Sequence, residues 1–226
     1  MITLPIFRGY LSSLPQSYLV SENFESTGIP LNWTFSPNIN SNTLFGYNFE
    51  SDSPLPTLQG TGCLRVLESS SYFTISITGF GSIPSGETYF LFNPSGSLPG
   101  ATHNFMFFLN EEGLECARLR WTNAGAFAIR LGGTGVDIST SSLATGFQTY
   151  HVWFNFNNSS GYTASASVGF STDGVRPIGG STFASRTGES TGLFKTFRFG
   201  AASSYTATYY IDKFRLSNKR ISNYPS

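Results

Sequence analysis

The sequence is short of charge: only 12% of its 226 residues are Asp, Glu, Lys or Arg, about half the share usual in soluble domains. Thirteen basic side chains face thirteen acidic ones, for a formal net charge of zero. No long-range field then draws the chain to phosphates, so recognition of nucleic acid by bulk charge is excluded. No apolar run approaches the ~20 residues that cross a bilayer, and membrane insertion is not expected. The two cysteines, Cys63 and Cys116, form no CxxC pair and no metal-ligand cluster, and their spacing leaves pairing open. Met1 to Val20 reads MITLPIFRGYLSSLPQSYLV. Arg8 and two prolines interrupt it, and no small-residue cleavage site follows, unlike an export signal.

What the sequence has instead is aromatic residues at 16%, 24 glycines, and Ser and Thr at about a quarter of the chain. Helical periodicity is almost absent. Short apolar or alternating runs are separated by Gly, Pro, Asn and Ser, the pattern of an all-β sandwich or barrel. Strands are predicted at Gly62–Leu67, Tyr72–Thr78, Glu87–Phe92, Asn104–Asn110, Glu115–Thr122, Ala126–Leu131, Gln148–Asn157, Tyr162–Ser171, Lys195–Phe199 and Tyr209–Leu216, with another near Asn23. Residues 1–20 are apolar without alternation, with Ile2, Leu4, Ile6, Phe7, Leu11, Leu14 and Leu19, and read as a docking arm ahead of one domain over 21–226.

Two hairpins can be registered from their side chains. In ECARLRWTNAGAFAIRL, Leu119 and Trp121 must share a face with Phe127 and Ile129, because a slip of one residue sends every side chain to the wrong side. Trp121 is therefore predicted opposite Phe127, and Leu119 opposite Ile129. On the other face Arg118 and Arg130 become direct neighbours, with Arg120 beside them. Like charges across a ladder are destabilising unless a carboxylate or a ligand lies between. This strip is a candidate for gripping acidic sugars through bidentate guanidinium bonds. In the second hairpin, Tyr150, Val152, Phe154 and Phe156 share a core face with Ala164, Ala166, Val168 and Phe170. Its other face shows His151, Trp153 and Asn155 over Ser165, Ser167 and Gly169. An indole with small polar neighbours can stack on a pyranose, which makes Trp153, His151 and Asn155 a second candidate platform, although such an aromatic more often packs beneath a loop.

The order of TYHVWFNF (Thr149–Phe156), SVGFSTDG (Ser167–Gly174), FRFG (Phe197–Gly200) and YYIDKFRLSNKRIS (Tyr209–Ser222) resembles the C-terminal half of laminin G-like, concanavalin A-like jelly-roll domains. ENFESTGIPLNW (Glu22–Trp33) and GCLRVL (Gly62–Leu67) are similar to the opening strands of that family. The resemblance implies a jelly-roll β-sandwich of two antiparallel sheets. It implies no single function, since the superfamily holds lectins, hydrolases, lyases and virion proteins. Hydrolases resembling this fold carry Glu-x-Asp-x-x-Glu on one strand. Here Glu50-Ser51-Asp52 begins that pattern, but Leu55 replaces the second Glu and Pro54 breaks the strand. The lyase spacings Arg-x-Glu and Gln-x-His are absent, and Glu111, Glu112 and Glu115 read as solvated hairpin charges. Calcium is frequent in such domains. It needs six to eight oxygens, and four scattered aspartates offer only Asp52 or Asp137 as isolated candidates, so no cofactor is expected. Asp212 and Asp173 read as structural.

The resulting expectation is a non-enzymatic recognition or structural protein on an extracellular particle, a bacteriophage virion component of tail, fibre or capsid surface that binds host glycans. It would be homo-oligomeric and contact other virion proteins through its arm. The alternative is a secreted lectin-like module, and the least favoured reading is a polysaccharide hydrolase or lyase.

Overall fold

The computed structural model describes residues 18–25, 33–35, 43–44, 62–66, 72–76, 82–94, 98–132, 136–144, 148–158, 163–189, 191–200 and 209–221. The docking arm before Tyr18, and Glu50 and Asp52, lie outside these residues. Fifteen strands are described. The opening ones are short: β1 (Val20–Glu22), β2 (Trp33–Phe35), β3 (Thr43–Leu44), β4 (Leu64–Val66) and β5 (Tyr72–Ser76). Then come β6 (Ser85–Asn93), β7 (His103–Leu109), β8 (Glu115–Trp121), β9 (Ala126–Leu131) and β10 (Ile138–Ser142). The chain closes with β11 (Tyr150–Asn157), β12 (Thr163–Ser171), β13 (Phe183–Glu189), β14 (Thr196–Gly200) and β15 (Tyr209–Ser217).

These strands form two antiparallel sheets, the all-β sandwich expected from the alternation. The first runs β13-β12-β11-β6-β15-β4-β3, with β1 also on β15. The second runs β10-β9-β8-β7-β14-β5-β2. The β8–β9 hairpin has the predicted pairing, and β11–β12 keeps the predicted core face. Trp121 lies opposite Phe127, Leu119 opposite Ile129 and Arg118 opposite Arg130. The turn between β8 and β9 closes through Thr122 N to Ala126 O at 2.9 Å, and Gly125 supplies the positive φ of 83° that the reversal demands. Val152 pairs with Phe170, Phe154 with Val168 and Phe156 with Ala166.

The inner faces meet in a core rich in phenylalanine. Phe92, Phe105, Trp121, Phe127 and Tyr209 form one aromatic group, and Phe108, Phe154, Phe194 and Phe197 another. His103 is wholly buried in the first group, its Nε2 3.3 Å from the Tyr209 hydroxyl. Burial holds its pKa down at about 4, so the ring is neutral in the folded protein at neutral pH.

β10 and β13 were not predicted from sequence. Both are edge strands whose ends of the two sheets touch, and an edge strand with little to bury need not alternate. Residues 18–20, read as the end of the arm, join the sandwich: Leu19 N bonds Leu216 O at 2.7 Å, and Leu19 and Val20 pack on the core. The two cysteines form no disulfide and are buried apart, Cys116 in the inter-sheet core and Cys63 in a second cluster outside the first sheet.

That second cluster comprises Cys63, Tyr89, Leu91, Trp153, Tyr210 and Ile221. A loop over residues 172–182 and the segment following β15 flank the same outer face, tied together by one charge pair. Glu87, 1% exposed on β6, pairs with Arg176 of the loop at 2.5 Å. The carboxylate also accepts Ile221 N at 2.8 Å, while Arg176 donates to Ile221 O at 2.7 Å.

Candidate functional site

The outer face of the second sheet gathers arginines from the neighbouring strands β8 and β9 and from β14. Arg118 and Arg120 stand on β8 and Arg130 on β9, at the alternate positions left when Leu119, Trp121, Ile129 and Leu131 turn to the core. Across β7 the strip continues to Arg198 on β14, whose register partner is Phe107. The Arg198 guanidinium lies 4.1 Å from the Phe107 ring centroid and that of Arg118 lies 5.7 Å from it, cation–π distances. Arg198 and Phe107 escaped the sequence reading. The available signal was the alternation in FRFG, where Phe197 turning to the core sends Arg198 to the other face.

The repulsion foreseen between Arg118 and Arg130 is relieved by carboxylates. Asp137 bonds Arg130 Nε at 2.8 Å through one oxygen and Arg120 through the other. Glu115 pairs with Arg118 Nε at 3.3 Å, and Arg118 also donates to Asn104 Oδ1 at 3.3 Å. Glu115 is therefore not the solvated hairpin charge expected: its side chain is 15% exposed. Desolvation raises its pKa, against the pull of Arg118, Arg130, Arg198 and Arg120. Burial likewise lowers the pKa of Arg118, opposed by Glu115. The guanidiniums of Arg118, Arg120 and Arg130 are partly buried, where Coulomb attraction is stronger than in open water.

Asp137, one of the two isolated calcium candidates, has both oxygens on guanidiniums. Among the described residues no three His, Cys, Asp or Glu side chains cluster as a metal site.

The platform expected on β11 is corrected. Trp153 is 2% exposed and packs against Tyr89 at 5.3 Å between centroids. Its cross-strand partner Gly169 has no side chain, and a Cβ there would sit 2.6 Å from Pro177 Cγ, so the glycine lets the 172–182 loop settle onto the sheet. An indole so enclosed has no face for a sugar. His151 is held by a 2.7 Å hydrogen bond with the Tyr89 hydroxyl, and burial lowers its pKa. Asn155 alone of the three remains half-exposed without belonging to this packing.

No family model matches the sequence, and no curated protein matches it. Solved structures share the fold at low identity. Cellulose induced protein Cip1 is 12% identical with a TM-score of 0.56, over 90% of this chain and 99% of that one. An endo-β-1,4-glucuronan lyase from the fungus Trichoderma reesei is 12% identical with a TM-score of 0.53, over 93% and 99%. The binding domain of botulinum neurotoxin DC, in complex with SialylT, is 11% identical with a TM-score of 0.51, over 91% and 49%. Trypanosoma rangeli sialidase is matched at 13% identity and a TM-score of 0.48; this chain spans 26% of that enzyme's length. None of these four is described as a virion component.

The expectation of a non-enzymatic chain does not stand. The sandwich it shares almost end to end with the lyase is one that houses catalysis. Single strands of the sequence carry no hydrolase or lyase spacing of acids and bases. This face instead assembles Glu115, Asp137 and four arginines across strands, an arrangement that linear spacing does not display.

Proposed function

We propose that this chain is a laminin G-like, concanavalin A-like jelly roll that recognises carboxylated glycans on the outer face of its second sheet. The observation that carries the reading is the gathering of Arg118, Arg120, Arg130 and Arg198 on one sheet face, with the guanidiniums of Arg118 and Arg198 against Phe107. Guanidinium is the side chain whose planar fork fits a carboxylate with two parallel bonds. A polyuronate repeats that carboxylate along an extended chain, as the arginines repeat across the strands. Phe107 is only 4% exposed and serves to hold the guanidiniums in place rather than to stack on a ring.

Likeness of fold to a glucuronan lyase supports the choice of a uronate as first ligand. The test is a calorimetric titration with an oligoglucuronate and with a cello-oligosaccharide of the same length, which differs in lacking the carboxylates. Binding of the oligoglucuronate that weakens steeply as salt rises is expected, with no measurable heat from the neutral chain. Equal binding of both would remove the arginine face from the explanation. Unsaturated uronate products in the same mixture would extend recognition to cleavage.

A further inference from the structure

On the opposite side of the sandwich, a cavity of about 480 Å³ opens on the outer face of the first sheet. Its volume is within the ~300–1,000 Å³ typical of small-molecule sites. The floor is set by register: Glu87 on β6, Asn155 on β11 and Ser167 on β12 are consecutive cross-strand neighbours, with Ser85 and Asn157 one pleat further along. Pro177 and Ile178 of the 172–182 loop also line it, with Phe183 of β13 and the 218–220 segment. The Glu87–Arg176 pair holds the loop to the sheet and, with Ile221, ties it to the chain end.

Two features of this cavity serve no purpose in the fold itself. The Asn155 amide and the Ser167 hydroxyl, directly opposed, have no hydrogen-bond partner among the described residues. Ile178, a large apolar side chain, is 81% exposed on the lining. The Glu87 charge on the floor is already balanced by Arg176. Lys219 and Arg220 line the cavity's solvent-exposed rim, and the charge of Arg220 reaches Glu87 and Arg176.

We propose that this cavity is a second sugar site, taking a neutral pyranose. Such a ring carries a hydroxyl edge for Asn155 and Ser167 and a C–H face for Ile178 and Phe183. An uncharged ring needs no counter-charge, which suits a floor whose one carboxylate is neutralised from within. The inference does not rest on the arginine face, which lies on the other sheet.

The experiment is saturation-transfer NMR on the full chain. Its probes are the methyl glycosides of glucose, galactose, mannose and N-acetylglucosamine, with glucuronate and inorganic sulfate as anionic controls. At least one neutral glycoside should bind, and binding should persist when oligoglucuronate is in excess. Asn155→Ala should weaken it about tenfold, the effect of losing one good hydrogen bond, while melting with the parent. Ile178→Ser, at a position too exposed to matter for folding, should also weaken it and serves if the first variant is unstable. Binding only of glucuronate or sulfate, binding by no neutral glycoside, displacement by oligoglucuronate, or binding unchanged in both variants would each overturn the proposal.

Discussion

Replacing Arg176 by methionine is expected to cost about 3–5 kcal/mol of folding stability, the usual result of removing one partner of a buried ion pair. In a domain of this size that lowers the melting temperature by about 10 °C. The size of the effect follows from what stays behind. Glu87 is almost wholly enclosed, and without Arg176 its carboxylate keeps only the Ile221 N–H. The loss also frees the loop from the chain end, because Arg176 bonds the Ile221 carbonyl as well. Desolvation already raises the Glu87 pKa despite Arg176, and removing the arginine raises it further. Above that raised value the variant must bury an unpaired charge, and below it a neutral acid. The deficit against the parent is therefore largest at neutral pH and narrows as acid protonates Glu87. Converting the acid too, as Glu87→Gln with Arg176→Met, should recover at least half of the loss in urea titrations. A single variant within about 1 kcal/mol of the parent would show that the pair does not hold the loop.

Asp212→Asn is expected to act in the opposite direction, stabilising the fold by about 1–4 kcal/mol at pH 8 in a chelating buffer. Asp212 is fully buried where β15 loses register with β6, and the following Lys213 has a φ of 52°. Lys213 N donates to one carboxylate oxygen at 2.6 Å, while the other has no hydrogen-bond partner. Burial raises this pKa to about 7 from an unfolded value near 3.8, so the ionised form penalises the folded state. That penalty is complete above about pH 7 and vanishes below about 3.8. The gain from asparagine should fade over the same interval. His103 runs the other way. Its folded pKa of about 4 lies under an unfolded value near 6.5, so its contribution is complete above 6.5 and is lost as pH falls to 4, by about 3 kcal/mol. The two slopes oppose each other in the parent. Stability of Asp212→Asn should fall steeply between pH 7 and 4, and that of His103→Gln should rise. A destabilised Asp212→Asn at pH 8 would mean that the carboxylate is engaged by a favourable partner.

Both effects depend on burial that the sequence shows only in part. Alternation registered the β8–β9 hairpin to the residue and sorted the two faces of β11–β12, because a buried face tolerates no slip. It also placed Arg118 against Arg130, and from that the need for an acid between them. It could not say which acid: Asp137 reaches the strip from the segment entering an edge strand with no alternation of its own. Nor could it find Arg198, which joins the face only because β14 pairs with β7. The indole of Trp153 was assigned to an open platform since its strand alternates cleanly. What buries it is a loop and a chain end, held by Glu87 and Arg176, residues 89 apart in the sequence. Periodicity reports on faces of strands, and carries no information about which loop will fold over one.

Binding of a carboxylated chain by the arginine face should depend on Arg118 and Arg198. We expect Arg118→Gln and Arg198→Gln each to weaken oligoglucuronate binding by roughly ten- to a hundredfold, the worth of one charge-assisted hydrogen bond. Loss of binding in both, with melting temperatures near the parent's, is the predicted result of that titration. Undiminished affinity in both variants would contradict it.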